Sequence, residues 1–67
     1  MVITVRCNLQ HWSVLDPQAP DAARYARGAD AFDAAAALAL EHHRRTGQPS
    51  RVRVEALGNA VDALIVG

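Results

Sequence analysis

Two apolar runs flank the dipeptide Gly58-Asn59, and no other feature of this chain so narrows what it can fold into. Glycine at the first central position of a two-residue connection suits a type II′ turn, whose twist matches that of paired antiparallel strands. Counting outward from that turn sets Ala56 opposite Val61, Val54 opposite Ala63 and Val52 opposite Ile65, so one face is apolar on both strands. The alternate pairs, Glu55 with Asp62, Arg53 with Leu64 and Arg51 with Val66, give a mixed outer face. A one-residue slip would turn every side chain to the other face, so agreement between turn chemistry and burial specifies the register. A hairpin with one apolar face then needs a cover.

The cover lies just upstream, where the spacing predicts a helix around Asp33 to Arg45. Asp30 is a good N-cap, and Asp33 adds negative charge at the positive end of the helix dipole. With side chains advancing by about 100° per residue, Phe32, Ala35, Ala36, Ala39 and His43 fall on one stripe, flanked by Leu38 and Leu40. Asp33, Glu41, Arg44 and Arg45 fall opposite. Arg44 and Arg45 suit the C-terminal end of the dipole, Gly47 is a natural stop, and Pro49 cannot continue the helix.

At the other end, Val2-Ile3-Thr4-Val5-Arg6-Cys7 is rich in β-branched residues and reads as a strand with Ile3, Val5 and Cys7 on one face. Trp12-Ser13-Val14-Leu15 suggests a second, shorter strand after the connection Asn8-Leu9-Gln10, broken off by Asp16-Pro17 and Ala19-Pro20-Asp21. Two readings stand for residues 20–28. Either Pro20 opens a short helix that runs through Arg27 and ends at Gly28, or Arg24 to Arg27 is an extended edge; the helical turn is slightly preferred. The expected fold is α+β: a small antiparallel sheet of three to four strands with one main helix packed on one face, in the order β-(β)-α-β-β.

A 67-residue chain has room for a single domain, residues 1–67, and for one core. Its 51% hydrophobic content and zero formal charge exclude a disordered segment. Cores of this size rarely supply more than about 3–5 kcal/mol, and the single cysteine, Cys7, allows no disulfide within the chain. A metal, a partner or a second copy remains as the source of extra stability. The chain carries no stretch suited to a secretory signal or a bilayer span and is expected to be soluble and cytoplasmic.

A zinc site could draw on Cys7, His11, His42 and His43, but adjacent helix residues point about 100° apart, so His42 and His43 cannot readily chelate one ion. A buried strand cysteine with partly exposed helix-end histidines is the favoured reading, with no metal and no cofactor. None of the seven carboxylates stands beside an obvious nucleophile or a Gly-rich phosphate loop. Asp30 and Asp33 already have a helix-start role, and Glu55 opposite Asp62 is a like-charge pair on the surface. The chain is expected not to be an enzyme.

Arg44, Arg45, Arg51 and Arg53 place four positive charges in ten residues with no acid among them, a pattern suited to phosphate. Against nucleic acid stand the neutral whole and the scarcity of aromatics for base stacking, which are only Trp12, Tyr25 and Phe32. Protein association is the stronger expectation. A one-helix sheet leaves one face and an edge uncovered, and Val2, Leu64 and Val66 fall on the expected outer face with Trp12 or Leu15 nearby. Leu64, Val66, Val2 and Trp12 are therefore the candidate partner-binding residues, and a homodimer is compatible with that reading.

The stretch Gly28-Ala29-Asp30-Ala31-Phe32-Asp33-Ala34-Ala35-Ala36-Ala37, followed by a strand hairpin, resembles the strand–helix–strand unit of HicB-type antitoxins. It is also similar to tiny phage-encoded anti-CRISPR proteins of sheet-plus-one-helix form. The likeness is topological and covers roughly residues 24–67. It implies a non-catalytic protein, an inhibitor of phage or mobile-element type, that acts by occupying a partner's surface. The DNA-binding domain appended to many HicB antitoxins is not expected within these residues, so autoregulation of transcription is not among the expectations. An arginine-only basic set and heavy use of alanine suit a GC-rich bacterial or phage genome.

Overall fold

The structure, a computed structural model describing residues 1–19 and 21–67, is an α+β fold with one helix on one side of a five-stranded mixed sheet. Strands β1 (Val2–Cys7), β2 (Trp12–Leu15) and β3 (Ala23–Tyr25) precede helix α1 (Gly28–Thr46), and strands β4 (Ser50–Ala56) and β5 (Asn59–Val66) follow it. The sheet runs in the order β3-β2-β1-β4-β5. All neighbours are antiparallel except the central pair, β1 and β4, which is parallel with Val2 beside Arg51 and Val5 beside Val54. An entirely antiparallel sheet of three to four strands was too simple an expectation. A parallel pair needs a crossover connection, and α1 supplies it by returning the chain to the end of the sheet where β1 begins.

The third strand settles the ambiguous segment in favour of an extended edge. Ala23, Arg24 and Tyr25 pair with Val14, Ser13 and Trp12, so no helix fills residues 21–27. A helix there would have had only Tyr25 to bury, whereas a strand satisfies the open edge of β2 and sets Tyr25 against the core. The suggested place of Pro20 in a helical first turn lies outside the described residues.

The core consists of Ile3 and Val5 from β1, Val14 from β2, Val52 from β4, and Ala31, Ala35 and Ala39 from α1. The alanines recur every fourth residue, so one side of the helix is smooth and can sit close to the sheet. This rotates the helix slightly from its expected stripe. His42 rather than His43 is buried, and Leu38 and Leu40 are exposed. Burial of His42 is possible because its Nδ1 lies 2.8 Å from Oγ of buried Ser50. The N-cap is Arg27, without a side-chain capping bond, rather than Asp30; Asp30 lies in the first turn, in the favourable field of the dipole. Gly47 ends the helix in the left-handed conformation at φ 71°, its N–H donating to the His43 carbonyl at 2.8 Å.

The C-terminal hairpin exists but its register differs from expectation. Its turn residues are Leu57 and Gly58, both at positive φ (54° and 77°), the pattern of a type I′ turn. Ala56 therefore pairs with Asn59, Val54 with Val61 and Arg53 with Asp62. A bulge follows: Ala63 is unpaired, and Val52 meets Leu64, Arg51 meets Ile65 and Ser50 meets Val66. Moving the turn back by one residue keeps the same β5 side chains inward. The bulge reverses them beyond Ala63. Leu64 and Val66 thus lie on the helix side, packed against the core, and Ile65 faces out.

Candidate interaction surface

Strand β5 is the longest in the sheet and stands at its edge, paired only with β4 among the described residues. The opposite edge, β3, has three residues and carries Arg24. Short edges and basic side chains discourage strand addition. Strand β5 has neither protection: it contains no lysine, arginine or proline, and the bulge at Ala63 is the one feature that interrupts its edge.

On the helix side β5 reaches beyond the cover that α1 provides. Leu64 and Val66 are half-buried against the core, but Val61 keeps 63% of its surface exposed. A Cβ placed on Gly67, the residue after β5, would lie 3.0 Å from His43 Cε1, so the flank of α1 that carries His43 faces this edge. By helical spacing the same flank carries Phe32, Ala36 and Leu40. Phe32 packs on the core and Leu40 is exposed. An apolar shelf therefore runs along β5, bounded by Val61 and Leu64 below and by Phe32 and Leu40 above.

The outer face carries paired charges. Asp62 accepts from Arg51 Nη1 at 3.1 Å and from Arg53 Nε at 3.2 Å, and Glu55 accepts from Arg6 Nε at 2.9 Å. The expected Glu55–Asp62 repulsion does not occur: the shifted register sets Asp62 beside Arg53, and the parallel pairing with β1 sets Glu55 beside Arg6. Ile65, 66% exposed, stands at the margin of this ladder.

The expected partner-binding residues do not form one patch. Leu64 and Val66 belong to the shelf. Val2 lies in β1 on the outer face. Trp12 lies on the helix side, its ring beneath Gly28 at the start of α1. Val61 and Ile65 are the exposed apolar residues of β5 that the sequence reading turned inward. Apolar residues at both parities, Val61, Leu64, Ile65 and Val66, were the available signal that this strand is apolar on both sides.

The arginines divide as well. Arg44 and Arg45 are exposed in the last turn of α1, with Arg45 Nη2 donating to Gln18 Oε1 at 3.3 Å. Arg51 and Arg53 point away from the helix, so the sheet separates the two pairs. Cys7 is exposed rather than buried, at the end of β1 near His11. His42 and His43 sit at the far end of α1, where His43 Nδ1 lies 2.9 Å from the Gln48 carbonyl oxygen. Among the described residues no three histidine, cysteine or carboxylate side chains gather where they could hold a metal ion, and no helix is long and apolar enough to cross a membrane.

No family model, curated protein or solved structure matches the chain.

Proposed function

We propose that the chain is a small non-catalytic interaction protein that binds another polypeptide along β5. The partner adds a strand to the free edge and rests alternate side chains on the shelf of Val61, Leu64, Phe32 and Leu40. The observation that carries this reading is the combination of an unpaired eight-residue edge with apolar side chains left exposed on both sides of it. Main-chain hydrogen bonds would supply affinity and the shelf would supply specificity. Fully burying a valine or leucine is worth about 1.5–3 kcal/mol, so completing the cover of Val61 and Leu40 changes affinity by about tenfold or more. A protein of inhibitor type works in this way, by covering a surface, and the cytoplasm is the compartment that suits its lone cysteine.

Binding of nucleic acid through Arg44, Arg45, Arg51 and Arg53 is the competing reading. Against it, Arg51 and Arg53 are both engaged by the carboxylate of Asp62, which leaves one net positive charge between them. Photo-crosslinking side chains placed at Val61, Ile65, Arg44 and Glu41, in cells that express the protein, distinguish the two. Polypeptide adducts concentrated at positions 61 and 65 are the expected outcome. Nucleic-acid adducts at position 44, with none at β5, would refute it.

A further inference from the structure

Resting on that reading of β5, we infer that the polypeptide covering this edge is a second copy of the same chain, paired antiparallel about a two-fold axis to form one ten-stranded sheet. Charge is the first argument. In an antiparallel two-fold pairing centred on the strand, a charge near its midpoint comes close to its own copy, which is destabilising when both are bare. The only charged side chain of β5 is Asp62, and it is held by Arg51 and Arg53 of its own chain. Self-pairing therefore brings no bare carboxylates together.

Symmetry is the second argument. An isologous contact of β5 with β5 closes at two copies, whereas β5 with β3 would be heterologous and would propagate. The short, arginine-bearing β3 edge disfavours the propagating contact, so the two edges of this sheet differ in the way a closed dimer requires.

Area is the third. A standard interface buries about 800 Å² on each partner, roughly a fifth of the 4512 Å² that this chain exposes. One eight-residue strand with Val61, Leu64, Ile65 and Val66, joined by Phe32 and Leu40 from the helix flank, is a surface of suitable extent. The need is evident in the core, whose largest fully buried side chains among the described residues are Ile3, Val5 and Val52.

Sedimentation equilibrium of the intact chain tests this, under reducing conditions so that exposed Cys7 forms no intermolecular disulfide. The expected mass is twice 7.2 kDa at micromolar concentration. Val61→Lys and Ile65→Lys each alter a side chain that is exposed in the single chain. Each is expected to weaken the dimer by at least about tenfold, while Leu38→Lys on the other flank of the helix leaves it unchanged. A monomer at about 200 µM, or a dimer unaffected by both β5 lysines, would overturn the inference. If the lysine variants also unfold, isotope-filtered NOEs in a mixture of labelled and unlabelled unaltered protein decide: contacts between copies at β5 support it, and their absence refutes it. A monomer whose probe at position 61 still captures a different polypeptide refutes the second copy and leaves strand addition standing. No dimer and no β5 adduct refutes both.

Discussion

Gly28 opens α1 without needing glycine's backbone freedom; what it provides is space. A Cβ at this position would lie 2.8 Å from both Cε2 and Cζ2 of Trp12 and 3.3 Å from Cδ2. Carbon atoms in good contact sit about 3.5–4.0 Å apart, so Gly28→Ala requires the ring or the start of the helix to retreat by roughly 1 Å. Trp12 packs against the core between its neighbours Cys7 and Tyr25, so the movement is resisted. Overpacking of this kind costs about 1–3 kcal/mol. Alanine's better helix propensity offsets at most about 1 kcal/mol, which at full offset leaves a net loss of up to about 2 kcal/mol. In a domain this small each kcal/mol lowers Tm by about 4–8 °C. Thermal melts followed by circular dichroism measure the loss, and the emission of the single tryptophan reports displacement of the ring. Repeating the substitution in a Trp12→Leu background removes the clash, so there Gly28→Ala should be neutral or stabilising. If Gly28→Ala raises Tm equally in both backgrounds, steric exclusion by Trp12 is refuted.

The turn and the buried histidine give further tests. Leu57 holds φ at 54° with its side chain fully exposed, so Leu57→Asn relieves backbone strain without losing packing and should stabilise by about 1 kcal/mol in denaturant titrations. Ser50→Ala leaves Nδ1 of buried His42 without its partner and should destabilise by about 1–3 kcal/mol. An unchanged midpoint would show that the pair contributes nothing.

Much of the fold was legible because it is written in local patterns. The β-branched run of β1 and Gly47 at the helix end each carry their own signal, and the two apolar runs announced a hairpin. What failed were features that depend on how pieces meet. One unpaired residue, Ala63, reversed the inward set of β5 and moved Leu64 and Val66 under the helix, and no residue type marks such a bulge. The helix stripe was read from its large side chains, but the tight seat is made by Ala31, Ala35 and Ala39, and His42 could be recognised as buried only with Ser50 in view. Strand β3 is three residues whose conformation is set by the open edge of β2 rather than by their own propensity. The shelf beside β5 depends on all of these and so was visible only as an excess of apolar residues in the last strand.

The parallel pairing of β1 with β4 joins residues about fifty positions apart along the chain, Val2 with Arg51 and Arg6 with Glu55. Contacts this distant carry a loop-closure penalty that must be met before they stabilise anything. During synthesis the meander of β1, β2 and β3 is made first, with one side of β1 unpaired, and it must wait for α1 and β4 before its central strand is complete. The core is shared unevenly along the chain: Ile3, Val5, Val14 and the alanines of α1 lie before Gly47, and Val52 lies after it. Folding is therefore expected to be slow for a chain of this length. A break in the exposed segment at Gly47 to Pro49 would part Val52 from the rest of the core, and the two pieces are expected to recover the fold when mixed.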